Sequence, residues 1–343
     1  MTTSSVPAIP AEPEITSPTR LVVGNRLNPE AIGWMRQPLI DTSGVDGKRT
    51  WGRNKRWEYW NVITPTHILA LTASSIDYAG VHEVWVRDRR TEKAWGVSTA
   101  DILRPIEMPG SLEASPVRVR SKDLLIAIDP VPEGTRLRAR IVGASFDVVA
   151  HLPKRHERLG VVVPWSETRF QYTVKDIARP ATGWVETDGV REALPDGDSW
   201  ATLDHGRGRW PYEIEWNWGA AAGRVEHEGA LHTLGIQIGD KWTDGTGMTE
   251  NSIYFDGRLT KIGPLTWEYD IVTWWRPWRI HGPQLDVVFE PFHNKQSATN
   301  MIVLSGRTDQ CFGTYRGTAH VDDVGVVPFE GLVGWAEEVR NRW

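Results

Sequence analysis

The stretch K-W-T-D-G-T-G-M-T-E-N-S-I-Y-F-D-G-R, Lys241 to Arg258, joins two runs of residues that alternate as β-strands do. Before it, L-G-I-Q-I-G (234–239) puts three branched apolar side chains on one face of a strand. At its end, S-I-Y-F runs into the hairpin signal Asp256-Gly257. The stretch therefore predicts a strand, a polar loop, a strand, a tight turn and another strand. Such a loop can place short polar side chains at the mouth of a β-barrel, although the same residue types also cap ordinary turns.

Short alternating strands recur through the rest of the chain. Y-E-I-E-W-N-W (212–218) and L-D-V-V-F-E (285–290) separate apolar from acidic side chains, and T-R-L-R-A-R-I-V (135–142) separates apolar side chains from arginines. Long stretches at helical spacing are nearly absent, and Gly, Pro and Asp turns divide the strands. The pattern predicts an all-β protein built from antiparallel sandwich or barrel domains, with a short helix expected at the end of the chain.

The distribution of residue types predicts two domains. Residues 1–19 are rich in Pro, Ser and Thr and are expected to form a disordered lead-in. The aromatic content rises at V-V-V-P-W-S-E-T-R-F-Q-Y (161–172). We therefore place the boundary near residue 160, between an N-terminal β-barrel-like domain (20–160) and a C-terminal one (161–343) that carries the candidate site.

Composition and charge exclude several classes of function. A net charge of -5 over 343 residues provides no basic field for nucleic acid. Cys311 is the single cysteine, which excludes an intrachain disulfide and a thiolate metal cluster. No apolar run is long enough to cross a bilayer and no signal peptide is recognisable, so a cytoplasmic protein without stable membrane insertion is expected. Nineteen tryptophans against seven phenylalanines suit either a core or a ligand cavity.

The segment L-D-H-G-R-G-R-W-P-Y (203–212) is the first candidate for chemistry. Asp204 can hold His205 in one tautomer for acid–base work, and Arg207 and Arg209 can bind a carboxylate or an enolate. The alternative is an ordered segment in which the aspartate pairs with a nearby arginine.

The polar loop offers a second candidate. Asp244 and Glu250 lie six residues apart in a loop that can fold back, and two carboxylates in unlike environments can divide acid and base roles. Thr246 and Asn251 can bind polar groups of a ligand. Turn capping is the alternative for all of these residues.

Aromatic segments supply residues for the wall of a ligand cavity. Trp216 and Trp218 share a strand face next to Asn217, and W-W-R-P-W-R (274–279) presents Trp275, Trp278 and Arg279. His293 follows Glu290 as a possible ligand pair, but no third ligand has a familiar spacing, so no metal is expected. No nucleotide-binding loop, nucleophile elbow or H-E-x-x-H is present, so no cofactor is expected either.

Seven motifs in order resemble a bacterial family of unknown function, most densely over residues 161–343. They are V-P-W-S-E-T-R-F-Q-Y, D-H-G-R-G-R-W-P-Y, E-W-N-W-G-A-A-A-G, K-W-T-D-G-T-G-M-T-E-N, W-R-P-W-R-I, F-E-P-F-H and G-L-V-G-W-A-E-E. That family is distantly similar to two-domain lipocalin-like (calycin) proteins such as carotenoid hydratases, tocopherol cyclases and fungal Diels-Alder-type cyclases. The resemblance implies paired β-barrels, an apolar ligand cavity and cofactor-free chemistry on a lipophilic substrate, and transfers no catalytic residue.

Residues and resemblance together predict a protein that binds a hydrophobic small molecule, isoprenoid or polyketide-like, and the enzymatic hypothesis is its hydration, cyclisation or isomerisation by acid–base catalysis. Asp244 or Glu250 would transfer the proton, assisted by His205 or Asp204. The ligand-binding set is Arg207, Arg209, Trp216, Asn217, Trp218, Thr246, Asn251, Trp275, Trp278, Arg279 and His293. A non-catalytic lipid-binding protein and a carbohydrate-active enzyme are the alternatives, and the oligomeric state stays open.

Overall fold

The computed structural model describes residues 12–46, 50–102, 106–300 and 305–342, and its regular structure is almost entirely β. The single helical element among these residues is a 3-10 turn, Pro29–Ala31, which begins where the Asn28 side chain accepts a hydrogen bond from the Glu30 N–H at 3.2 Å. None of the described helical residues forms a segment long and apolar enough to cross a membrane.

Residues 16–211 form one compact unit, called here the N-terminal unit. Its strands are β1 (Thr19–Arg20), β2 (Val22–Val23), β3 (Arg26–Leu27), β4 (Gly33–Met35), β5 (Ile40–Asp41), β6 (Asn54–Ile63), β7 (His67–Ser75), β8 (Ala79–Asp88), β9 (Ala94–Ile102), β10 (Val117–Arg120), β11 (Leu124–Val131), β12 (Gly134–Ile141), β13 (Ala144–His151), β14 (Leu159–Ser166), β15 (Arg169–Thr187), β16 (Val190–Ala193) and β17 (Trp200–Arg209).

Thirteen of these strands form one curled antiparallel half-barrel. Its main path runs β10-β11-β12-β13-β15-β17-β6-β7-β8-β9, with β14 and β16 paired to β15 and β4 paired to β14. Alternate residues from the two halves of this path meet in a single apolar core. It includes Trp60, Leu71 and Leu203 from the half that contains β17, β6 and β7, and Ile126 and Leu137 from the half that contains β11 and β12. The curl buries a sheet face that period-two alternation has already made apolar.

Residues 212–342, together with residues 12–15, form the C-terminal unit. Its strands are β18 (Glu213–His227), β19 (Ala230–Asp240), β20 (Ser252–Phe255), β21 (Arg258–Lys261), β22 (Thr266–Glu268), β23 (Trp278–His281), β24 (Leu285–Asn300), β25 (Ser305–Val321) and β26 (Gly325–Arg342). They form a second curled antiparallel sheet in the order β21-β20-β19-β18-β26-β25-β24-β23-β22. The predicted succession of strand, polar loop, strand, turn and strand is confirmed as β19, the loop, β20, Asp256-Gly257 and β21.

The prediction of a short helix at the end of the chain is wrong, because this segment forms the strand β26. From Leu332 to Val339 nearly every residue of β26 is buried, so both faces of the strand are covered. A strand covered on both faces loses the alternation that identifies strands in a sequence, and its apolar run can be taken for a helix.

The compact units divide the chain at Pro211, whereas the aromatic content placed the boundary near residue 160. The strands on either side of residue 160 belong to one sheet, since β15 pairs with β13 and β17 pairs with β6 over its whole length. Of the expected lead-in, residues 1–11 lie outside the described residues. Further along it, Glu12 accepts a hydrogen bond from Thr249 at 2.7 Å and Thr19 pairs with Ile40.

Candidate functional site

Four cross-strand rows on the core-facing side of β17, β6, β7, β8 and β9 organise the N-terminal unit. The two deeper rows are apolar and consist of Ala201, Val62, Leu69, Val86 and Trp95, and of Leu203, Trp60, Leu71, Val84 and Val97. The next row, called here the inner polar row, consists of His205, Glu58, Ala73, His82 and Thr99. The outer polar row consists of Arg207, Arg56, Ser75, Gly80 and Asp101.

The strand period explains why polar residues face the core at these positions. In W-E-Y-W-N-V, Glu58 lies two residues before Trp60, which is 1% exposed, and therefore shares its face. In L-D-H-G-R-G-R, His205 and Arg207 are likewise in phase with Leu203. The interior of the half-barrel thus changes from apolar to polar along the strands.

Glu58 and His205 form a buried pair at the centre of the inner polar row. His205 Nδ1 lies 3.5 Å from Glu58 Oε1, and Trp60 Nε1 donates to Glu58 Oε2 at 3.3 Å. Burial would raise the pKa of Glu58, but His205 and the Arg207 charge outweigh burial and lower the pKa below its ordinary value. Burial, helped by the charge of Arg207, lowers the pKa of His205 to about 4. At neutral pH the pair is therefore a carboxylate beside an uncharged imidazole.

Several polar atoms of the inner polar row have no hydrogen-bond partner among the described residues. They are both ring nitrogens of His205, of which Nδ1 has only the 3.5 Å ion-pair contact with Glu58, both ring nitrogens of His82 and Oγ1 of Thr99. Both histidines are 0% exposed. A buried polar group without a partner costs about 1–3 kcal/mol, so it gains free energy from any ligand group or water that supplies one. These atoms can bind the polar groups of a ligand.

A cavity of about 420 Å³ adjoins the outer polar row. Its lining includes Arg56 and Ser75 of that row, the apolar Met108 and Pro109, and the carboxylates of Asp46, Asp77 and Glu107. Arg207 Nη2 donates to the Pro109 carbonyl at 3.2 Å, which ties the row to the segment that lines the cavity. A volume of this size lies within the range of roughly 300–1,000 Å³ typical of small-molecule sites.

The arrangement suits proton transfer. A carboxylate next to Nδ1 favours the tautomer that carries its proton there, and this leaves the Nε2 lone pair to accept a proton. The same carboxylate favours the imidazolium that results, whereas burial and the Arg207 charge oppose it more strongly and hold the pKa of His205 at about 4. The Tyr172 ring packs edge-on against His205 at 6.3 Å between centroids and restricts the imidazole.

The other residues predicted in this segment hold the structure together. Asp204 faces away from His205 and accepts hydrogen bonds from Trp57 Nε1 and Thr173 Oγ1, both at 2.9 Å. Arg207 and Arg209 donate to backbone carbonyls, including that of Val45 at 2.8 Å from Arg209. The guanidinium groups therefore provide hydrogen-bond donors for backbone carbonyls at this end of the sheet.

The predicted residues of the polar loop differ in burial and in their hydrogen-bond partners. Asp244 is exposed, whereas Glu250 is 1% exposed and accepts a hydrogen bond from Trp242 Nε1 at 2.8 Å. Thr246 Oγ1 donates to the Thr243 carbonyl at 2.6 Å. Asn251 accepts from the Gly239 N–H at 2.6 Å and donates to the Gly263 carbonyl, so it fastens the loop to β19.

The predicted catalytic residues are thus divided between the units. Asp204 and His205 belong to the N-terminal unit, and Asp244 and Glu250 belong to the C-terminal unit.

The tryptophans of β18 bond to polar side chains of the C-terminal sheet. Trp216 Nε1 donates to Glu337 at 3.0 Å, and Trp218 Nε1 donates to Gln237 at 2.8 Å. Between them, the Asn217 amide donates to the Tyr269 hydroxyl at 3.0 Å from the opposite face of the strand.

The remaining predicted wall residues are scattered. Trp278 is 0% exposed and stacks on Tyr269 at 4.3 Å, within the core of the C-terminal unit. Trp275 is 57% exposed, and Arg279 forms an exposed ion pair with Asp286. His293 stacks on Phe312 at 6.5 Å between centroids. No group of three or more potential metal ligands occurs within the described ranges.

Glu58, His82 and Thr99 were missed by the sequence analysis. Each lies in phase with apolar residues of its strand, for example His82 with Val84. A polar residue at a core-facing position is the signal that could have identified them.

The two curled antiparallel half-barrel sheets, with a polar layer inside the first, define a calycin-like fold. The structure is similar to that of kievitone hydratase from Nectria haematococca, with a TM-score of 0.51 and 11% identity over 85% of this chain and 89% of that one. A putative AttH from Nitrosomonas europaea (TM-score 0.45, 10% identity, 85% and 93% covered) and CghA with Sch210972 (0.38, 8%, 85% and 88%) align less well. The likeness to kievitone hydratase shows a shared fold.

The chain belongs to the DUF2804 family, a domain of unknown function, which matches residues 12–343. No curated protein matches the sequence.

Proposed function

We propose that this protein binds a hydrophobic small molecule, isoprenoid or polyketide-like, inside the N-terminal half-barrel and transforms it by cofactor-free acid–base chemistry. One observation carries the proposal. An uncharged, fully buried imidazole is paired with a carboxylate between an apolar interior and a cavity of ligand size.

The cavity and the inner polar row assign parts of the ligand to parts of the site. Ile106, Met108, Pro109 and Pro116, which line the cavity, offer apolar surface for a hydrocarbon portion. The reactive portion, which carries a polar group, lies against His205 and Glu58. Apolar surroundings strengthen every electrostatic interaction at that position.

Isomerisation and cyclisation follow from proton transfer alone. His205 Nε2 takes a proton from a carbon next to a carbonyl or an alkene, and the imidazolium returns a proton to another atom of the same molecule. In hydration, His205 Nε2 takes a proton from water as the water oxygen bonds to one carbon of the double bond, and the imidazolium returns a proton to the other carbon. No electrons are gained or lost, so no oxidant or reductant is required.

Two further considerations support hydration as the first reaction to examine. Kievitone hydratase, whose name states a hydration, shares the fold. In addition, the ring nitrogens that lack partners can hold a water molecule as well as a substrate group.

The test starts with native mass spectrometry of the protein purified from its own host, followed by extraction and identification of the bound compound. The wild type and His205→Gln are then incubated with that compound. Conversion by the wild type alone, with equal binding by both proteins, supports the proposal. Equal conversion by both overturns the catalytic role of His205, and an unaltered ligand with either protein shows a carrier instead of an enzyme.

A further inference from the structure

The far end of the inner polar row is chemically separate from the Glu58–His205 pair. Ala73 lies between Glu58 and His82 on the intervening strand β7. Two strand spacings separate the backbones of Glu58 and His82, which is roughly 10 Å. The methyl of Ala73 is the smallest side chain of the row and is buried in the apolar core, so apolar carbon separates the two polar groups.

His82 and Thr99 form a polar pair of their own at this end. They are cross-strand neighbours on β8 and β9, and both point to the core-facing side together with Val84 and Val97. His82 is 0% exposed, and neither of its ring nitrogens nor Thr99 Oγ1 has a hydrogen-bond partner among the described residues. One donor and one acceptor on an uncharged imidazole, together with a hydroxyl, match a hydroxyl or carbonyl oxygen.

Most charges around the two polar rows are matched. Glu58 is opposed by Arg207, and Arg56 pairs with Asp46 and Asp77. Asp101 of the outer polar row is the charge that acts on His82. An anionic ligand group at His82 would lose its hydration beside a carboxylate, and a charged group of either sign would have to be desolvated. An uncharged oxygen function is therefore favoured there.

We infer that His82 and Thr99 form a second ligand subsite, which binds an uncharged hydroxyl or carbonyl of the substrate while the reactive group lies at Glu58 and His205. The substrate is accordingly oxygenated at two positions about 10 Å apart, with apolar carbon between them. This favours an oxygenated polyketide-like or terpenoid molecule over a plain hydrocarbon. The inference rests on the proposed function, because it assumes that a ligand occupies this half-barrel.

Two simple probes of equal chain length test the subsite. 1,8-Octanediol carries hydroxyls at both ends, and their spacing is comparable to that between the Glu58–His205 pair and the His82–Thr99 pair. 1-Octanol carries one hydroxyl. Isothermal titration calorimetry should show the diol binding the wild type about fivefold more tightly than the alcohol, as expected for one additional hydrogen-bonded hydroxyl.

Substitutions of Thr99 and His82 test whether these residues bind the second hydroxyl of the diol. Thr99→Val and His82→Leu should each reduce the preference for the diol to less than about twofold without weakening 1-octanol. Thr182→Val, an exposed threonine of the same unit, serves as the matched control and should keep the preference. Circular dichroism verifies folding, and Thr99→Val preserves side-chain shape if His82→Leu does not fold.

The outcomes separate this inference from the proposed function. Binding of 1-octanol without any preference for the diol, or a preference that survives in both variants, overturns the second subsite alone. Failure of the wild type to bind either probe overturns both the subsite and the proposed cavity.

Discussion

The imidazole of His205 lies 3.5 Å from the carboxylate of Glu58, and neither side chain is more than 4% exposed. The two residues come from β17 and β6, which the chain separates by more than a hundred residues and the sheet makes neighbours. Their charge states at neutral pH follow from burial and from Arg207, as described above.

Replacing the imidazole should remove turnover and leave binding intact. His205→Gln keeps polarity and approximate size but cannot accept a proton, so the rate of conversion of the co-purified compound should fall about 100-fold or more. His151→Gln, a partly exposed histidine of the same unit, is the control. Conversion measured by chromatography and occupancy measured by native mass spectrometry distinguish the two effects. A parallel loss of occupancy would assign His205 to binding instead.

Acid should destabilise the wild type more than His205→Gln. The pKa of His205 is about 4 in the folded protein and about 6.5 when unfolded, so the unfolded chain binds more protons between these values. The stability that His205 contributes is fully present above pH 6.5 and is lost as pH falls towards 4. At pH 5 the loss is about 2 kcal/mol. Urea unfolding at pH 7 and pH 5 measures it, and equal losses in both proteins would contradict the assignment.

Neutralising the loop carboxylates should affect Glu250 more than Asp244. Glu250 is buried and accepts the Trp242 indole N–H, whereas Asp244 is exposed. Glu250→Gln should lower the free energy of unfolding by about 1–3 kcal/mol, and Asp244→Asn should change it by less than about 0.5 kcal/mol. Chemical denaturation gives both values. Lost turnover in a stably folded Glu250→Gln variant would extend the catalytic site to the C-terminal unit, as the sequence predicted.

The single cysteine should be unreactive in the folded protein. Cys311 is 0% exposed within the core of the C-terminal unit, and burial raises its pKa to about 12. Thiolate is the reactive form, so iodoacetamide should label the protein only as the unit opens. Mass spectrometry of a labelling time course in increasing urea should follow the unfolding transition. Rapid labelling in the absence of urea would contradict this packing.

The fold class was predictable because alternation is a local property. Leu234, Ile236 and Ile238 read as one strand face in the sequence and form one in the core. The rule failed at β26, where burial of both faces removes the alternation.

Half of the candidate pair was predictable as well. His205 was identified from its neighbours Asp204 and Arg207, but Asp204 points to the opposite side of β17 and bonds to Trp57 and Thr173. Adjacent residues of a strand face opposite ways, so a neighbour in the sequence cannot be the partner of His205 within the sheet.

What the sequence by itself determined was the all-β class, the strand–loop–strand order around Lys241 to Arg258 and the presence of polar residues suited to acid–base work. Only the tertiary structure decided that Glu58 is the partner of His205 and that His82 and Thr99 complete their row. The physical reason is register: pairing of strands distant in the chain sets which side chains meet, and the resulting burial sets their charge.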